Sequence, residues 1–187
     1  MPLVLLDRDG VIVVNSSDNI KRPDQLRLLP GAAEAIGRLT RAGFDVAVCT
    51  NQPEVGRGVM SAVELERVHD ALHSMLAAQG GRVEIHTCCS VRKCPRRKPA
   101  PGMLREALRR HGANAADTAF IGDQADDLVA AFHAGCRPVL VKTGLGRQTL
   151  LKGLPAYVGR VAIHDDLAAA ADAEIERSRQ RLAAAAE

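Results

Sequence analysis

Two aspartates, Asp7 and Asp9, follow directly on the apolar run Leu3-Val4-Leu5-Leu6. A run of that length and composition reads as a strand that stops where Asp7, Arg8, Asp9 and Gly10 begin. At the carboxyl end of a strand in an open α/β sheet, both acids would face the ligand crevice. Carboxylates so close repel one another unless a cation or a shared proton holds them. Mg2+ suits such a pair, because it binds through one or two carboxylates together with substrate phosphate. Taken alone, the tetrapeptide serves equally well as a solvated Asp-Gly turn, so the rest of the chain has to decide between the two.

The same change from apolar to polar recurs along the chain. Residues 44–49 read as a buried strand ending in Thr50, Asn51 and Gln52. A shorter strand over 83–87 leads into a loop with Arg97 and Lys98 at its far side. Residues 118–121 form a strand ending in Gly122 and Asp123, and Asp126 and Asp127 start the next helix, where acidic side chains complement the dipole. Residues 137–142 and 161–164 supply a fifth and a sixth strand.

The elements between must position these ends. Pro30 and Gly31 open a helix with Ala32, Ala35, Ile36, Leu39 and Ala42 on its apolar side, and Gly43 closes it. Ser61 opens another, with Glu64 in the capping-box position and a stripe of Leu65, Val68, Leu72 and Met75 running to about Gln79. A helix over 103–111 ends at Gly112, and an Ala-rich helix occupies about 166–187. Residues 13–29 and 53–60, and the segment around Gly144 and Gly146, read as loops. Such alternation predicts an α/β fold, a doubly wound and mainly parallel sheet covered on both faces, in a single domain over 1–187. The intervals from Asp7 to Thr50 and from Thr50 to Lys98 are filled by helix and strand, so no separate cap domain fits.

Composition narrows the function classes. At 47% apolar and 25% charged the chain reads as a soluble globular protein. Three Phe, one Tyr and no Trp argue against a stacking platform for single strands, and a net charge of +3 is too weak to imply nucleic acid. No apolar run approaches a membrane helix, and the N-terminus turns acidic too early for a signal peptide, so the protein is read as cytoplasmic with no membrane partner. Five cysteines in a reducing compartment do not make a disulfide framework. Cys49 and Cys136 read as core; the cluster Cys88, Cys89 and Cys94 invites a metal. Arg92, Lys93, Arg96, Arg97 and Lys98 form a basic loop that would attract anions beside a crevice.

One metal, one phosphate and one nucleophile account for all the polar strand ends. A carboxylate can attack a phosphoryl group to give an aspartyl-phosphate, splitting the displacement into two steps. The negative charge that develops is offset by Mg2+, an ammonium group and hydroxyl or amide donors.

This order of motifs, Asp7-Arg8-Asp9-Gly10, Thr50-Asn51-Gln52, Arg97-Lys98-Pro99 and Gly122-Asp123 followed by Asp127, resembles the haloacid dehalogenase (HAD) superfamily of phosphatases. Within it, Leu29-Pro30-Gly31, Gly56-Arg57-Gly58 and Lys98-Pro99-Ala100-Pro101-Gly102-Met103 resemble the D-glycero-D-manno-heptose 1,7-bisphosphate phosphatases, with histidinol-phosphate phosphatase domains beside them. The resemblance covers about residues 3–150. It implies Asp7 as nucleophile, Asp9 as the acid and then the base, Thr50 and Lys98 as holders of the phosphoryl oxygens, and Mg2+ on Asp7, Asp123 and the backbone carbonyl of Asp9. It further implies that Asn15, Asp18, Asn51, Gln52, Arg57 and Arg97 contact a small sugar phosphate. The implied role is in heptose-containing surface polysaccharide (lipopolysaccharide or capsule) biosynthesis, by a monomer.

The family's zinc loop, Cys-x-His followed by Cys-x-Cys, reads here Cys88-Cys89-Ser90 and Cys94-Pro95-Arg96. Cys88 and Cys94 remain as zinc candidates, with Cys89 or His86 beside them. Structural zinc wants four ligands, so the expectation is a metal-free loop of reduced thiols. Val13 and Val14 precede Asn15 where the family has Asn sooner, and Gln124 stands where Lys is common. Histidinol-phosphate phosphatase shares the chemistry. A receiver-like signalling domain, which also accepts a phosphoryl group on Asp, and a catalytically silent sugar-phosphate binder are the non-enzyme readings. Receivers carry the phosphorylated Asp on the third strand, whereas the acidic pair here ends the first.

Overall fold

The computed structural model describes residues 1–16 and 19–184. Six strands, β1 (Leu3–Leu6), β2 (Asp45–Asn51), β3 (Glu84–Cys88), β4 (Ala119–Gly122), β5 (Arg137–Val141) and β6 (Ala162–His164), form one sheet in the order β3-β2-β1-β4-β5-β6. Every pairing is parallel. The order reverses at β1, so the crevice of this fold opens above the carboxyl ends of β1 and its neighbours β2 and β4.

Alternate strand residues face opposite ways, and both faces are covered. Val4, Leu6, Val46, Val48 and Ile121 pack against α1 (Ala32–Arg41), α3 (Ala62–Ala77) and α7 (Leu167–Ala184). Leu3, Leu5, Ala47, Cys49 and Phe120 pack against α4 (Gly102–Arg110) and α5 (Ala125–Ala134). Residues of both clusters are almost wholly out of water, and apolar burial of this kind is the main force holding helices to sheet. The described helices and strands include no separate cap, and no helix among the described residues is long and apolar enough to cross a membrane.

Three local expectations give way. Residues 53–60 begin with a single helical turn, α2 (Pro53–Gly56), which Pro53 favours by fixing its own φ at the first helical position. The Gly144–Gly146 segment is a loop only as far as Leu145, because α6 (Gly146–Lys152) starts at the second glycine. Gly146 is needed there: a Cβ would sit 1.8 Å from the Val141 carbonyl oxygen. In α3 the capping box forms as read, but Leu76 rather than Met75 completes the buried stripe. The terminal helix is described to Ala184.

Gly122 lies where β4 meets α5. A Cβ there would fall 2.2 Å from the Asp127 Cβ. Gly122→Ala is therefore expected to destabilise the protein by about 1–3 kcal/mol through overpacking, read as a lower urea midpoint at unchanged slope. An unmoved midpoint would show that the approach of α5 to the strand is not constrained.

Candidate active site

The sheet hydrogen bonding runs one residue past β1, because the Asp7 N–H donates to the Ile121 carbonyl at 2.9 Å. The chain then turns sharply: the N–H groups of Ile12 and Val13 both donate to the Arg8 carbonyl. Gly10 makes the turn at φ +81°, and a Cβ there would strike the Asp123 carboxylate at 2.1 Å. Asp7 Oδ1 accepts from the Arg8 N–H at 2.7 Å and from Lys98 Nζ at 2.8 Å. Arg8, 1% exposed, folds its guanidinium onto Asp9, with Nε 3.1 Å from Oδ2 and Nη2 3.0 Å from Oδ1. Gln52 Nε2 donates to Asp9 Oδ2 and to Thr50 Oγ1, both at 2.9 Å. Two strand ends thereby lock the half-buried Asp9 carboxylate in place.

Lys98 comes from the loop after β3. Asn51 clamps its backbone from both sides, donating through Nδ2 to the Lys98 carbonyl and accepting the Lys98 N–H at Oδ1. The buried ammonium lies 2.8 Å from Asp7 Oδ1 and 2.7 Å from Asp127 Oδ1, and 5.3 Å from the centre of the Phe120 ring. Asp127 spends its other oxygen on the N–H groups of Asp123 and Gln124, capping α5. Asp123 Oδ2 accepts from the Leu145 N–H at 2.7 Å and from Asn15 Nδ2 at 3.2 Å, while its Oδ1 is buried without a partner.

Two carboxylates thus share one ammonium out of water, with a third, Asp123, buried beside them. Burial pushes Asp7 up to about 8, against the pull of Lys98. Burial also lifts Asp123 to about 6, opposed by the Leu145 N–H. The carboxylates beside Lys98 hold its ammonium well above the usual lysine range, outweighing desolvation. Ligand atoms of Asp7, Asp123 and Asp127 lie within 4.8 Å of one another. A hard divalent cation fits this donor set: Asp123 Oδ1 is buried and has no other partner, and both bonds to Asp7 fall on Oδ1. Asp127, with both oxygens engaged, is suited to orient the others.

A crevice of about 220 Å3 opens over this cluster, lined by Asp7, Asp9, Thr50, Lys98, Asn15, Asn51, Gln52 and Arg97 among others. Arg57 is not brought there: its guanidinium turns onto Glu54 at 2.6 Å and stays largely exposed. Asp18 lies outside the described residues. Asn19, Gln124 and Asp126 also line the crevice, although none of them is among the site residues read from sequence. Arg8, named from sequence only as part of the Asp7-Arg8-Asp9-Gly10 motif, is buried, and nothing in its spacing signals that burial. A larger concavity of about 520 Å3 lies at the opposite end of the strands, beside Leu3, Phe44, Thr118 and Arg137, where its acids Asp117 and Glu174 are paired with Arg181 and Arg137.

Residues 95–170 match the HAD-hydrolase-like family model. D-glycero-beta-D-manno-heptose-1,7-bisphosphate 7-phosphatase of Pseudomonas aeruginosa is 44% identical over 93% of this chain and 98% of its own length. The chain belongs to the haloacid dehalogenase superfamily of phosphatases, in its heptose 1,7-bisphosphate phosphatase family. Two crystal structures agree with this HAD assignment. D,D-heptose 1,7-bisphosphate phosphatase from Bordetella bronchiseptica, complexed with magnesium and phosphate, superposes with a TM-score of 0.90 at 41% identity, over 95% of this chain and 99% of that one. The corresponding Burkholderia thailandensis protein gives 0.73 at 40% identity, over 91% and 96%.

The raised acids give this HAD phosphatase a pH signature. Between their ordinary pKa of 3.8 and the folded values of about 6 and 8, Asp123 and Asp7 keep protons that the unfolded chain has released. Stability without a divalent cation is therefore fullest below about pH 4 as far as these two groups are concerned, and falls as pH rises through 6 and 8. A cation displaces those protons, so Mg2+ is expected to raise the melting temperature more at pH 8 than at pH 5. Equal increments at both pH values would sink the assignment of the cluster as the cation site.

Proposed function

We propose that this enzyme hydrolyses the 7-phosphate of D-glycero-β-D-manno-heptose 1,7-bisphosphate through phospho-Asp7, with Mg2+. The observation that carries this is the paired geometry at the end of β1: Asp7 bonded to the buried Lys98, and Asp9 held separately by Arg8 and Gln52. The names borne by its relatives at 41–44% identity support the substrate.

In this reading a carboxylate oxygen of Asp7 attacks phosphorus in line, and the bond from phosphorus to the sugar oxygen breaks. Asp9 gives its proton to that leaving oxygen. Asp9 then takes a proton from water, which attacks the phosphorus of phospho-Asp7 and returns the free carboxylate and phosphate. Lys98 and the Thr50 hydroxyl hold the equatorial oxygens. Bound by Asp7, Asp123 and the Asp9 carbonyl, Mg2+ would offset the negative charge of the transferring group. Asn15, Asp18, Asn51, Gln52 and Arg97 would read the sugar and its second phosphate. We place the reaction in the cytoplasm, supplying heptose for surface polysaccharide.

The test is phosphate release from the heptose bisphosphate and from histidinol phosphate side by side, with and without Mg2+. Asp7→Asn should abolish turnover of both, and retained activity would refute the nucleophile. Release from histidinol phosphate alone would move the substrate while keeping the chemistry. Asp9→Asn should lower kcat/KM for the sugar phosphate by about 10²–10⁴-fold. An aryl phosphate, whose leaving group needs no proton, should lose far less in kcat/KM; an equal loss on both would remove Asp9 as the acid.

A further inference from the structure

Cys88 closes β3, and its sulfur lies 3.4 Å from that of Cys94 in the loop beyond. The family's zinc would need two more donors. Among the described residues no third His, Cys, Asp or Glu joins this pair at metal-ligand spacing. Cys89 cannot serve, because it packs with the cluster on the opposite face of the sheet from Cys88 and Cys94. The donor set does not fit zinc. Two sulfurs 3.4 Å apart, with no third donor side chain among the described residues at metal-ligand spacing, suit a different chemistry.

We infer that Cys88 and Cys94 form a redox-reactive pair that a small-molecule disulfide of the glutathione type oxidises reversibly to an intramolecular disulfide. A disulfide bond is about 2.05 Å long, so closing it asks for a movement of under about 1.5 Å, within reach of side-chain rotation on the Cys94 loop. Cys94 is half-buried and Cys88 buried, which sets the order of events. The Cys94 thiolate attacks one sulfur of the oxidant, breaking its S–S bond and releasing one thiolate. The Cys88 thiolate then attacks the Cys94 sulfur of the mixed disulfide and expels the second. Both electrons pass to the oxidant, and the two cysteine protons end on the two released thiols.

The surroundings favour this pair over the other cysteines. Arg92, Lys93, Arg96 and Arg97 flank it in sequence, and such a basic loop attracts a carboxylate-bearing oxidant. Against the effect of burial, hydrogen bonding to Cys88 and to the Arg96 and Arg97 backbone draws the Cys94 thiol below its ordinary value. Burial pushes Cys136 up to about 12 and Cys49 further. The bond would tie two parts of the crevice together. Cys88 accepts the Gln52 N–H at its carbonyl, and Cys94 accepts that of Arg97, one residue before Lys98. None of this depends on the identity of the phosphorylated substrate.

Reduced, full-length protein incubated with glutathione disulfide and then freed of it should lose two titratable thiols, retain no glutathione, and recover both thiols in dithiothreitol. Trypsin cuts after Arg92 and Lys93, between the two cysteines, so the product should appear as two peptides joined by a disulfide. The Cys89→Ser protein should form the same link, and Cys88→Ser should stop with one glutathione on Cys94. Should Cys88→Ser fail to fold, the wild type and Cys89→Ser decide the matter by themselves. Stoichiometric zinc in the purified protein, glutathione retained by the wild type, or loss of the link in Cys89→Ser would each overturn the inference.

Discussion

Asp7 and Asp123 sit at the ends of two adjacent strands and Asp127 in the first turn of the helix that follows, all withdrawn from water, and the Lys98 ammonium bridges Asp7 and Asp127 at 2.8 and 2.7 Å. Buried charge of one sign is tolerated only when paired. With three acids and one lysine the site is one cation short. The rest of the structure serves that imbalance. Asn51 fixes the backbone of Lys98, the start of α5 supplies Asp127, and Gly10 and Gly122 leave room for carboxylates where any Cβ would collide. An orphaned oxygen on Asp123 is what such a site presents to a metal.

Asp9 stands apart from this cluster although it is two residues from Asp7. Successive side chains alternate about an extended backbone, but the turn at Gly10 breaks that geometry and the carboxylate is claimed instead by Arg8 and Gln52. Two acids close in sequence thereby acquire different surroundings. One is desolvated against a lysine, and the other faces an open crevice with an arginine behind it. Different environments are how neighbouring carboxylates come to do different chemistry.

The loop carrying Lys98 leaves β3 at Cys88, so the thiol pair and the ammonium belong to one segment. Loops at strand ends combine mobility with a rigid base. Here the base is the β2 and β3 ladder, in register from Ala47 and Glu84 to Asn51 and Cys88.

Alternation of apolar runs with helical stripes was sufficient to read the parallel sheet and its two covered faces, because burial on both sides of a parallel sheet leaves its strands continuously apolar. The polar ends of β1, β2 and β4 were visible as abrupt changes from apolar residues to Asp or Thr, and their recurrence in order, rather than any one of them, separated a site from a run of solvated turns. Other features were decided in three dimensions. Met75 and Leu76 are adjacent and both apolar, and only the rotation of α3 against the sheet chose which is buried. Arg57 and Arg97 are the same residue type in similar loops, yet Glu54 captures the first while the second lines the crevice. Arg8 is buried only because the turn folds it under Asp9. Residue type and local period belong to the chain itself, whereas the partner a long polar side chain finds depends on elements tens of residues away.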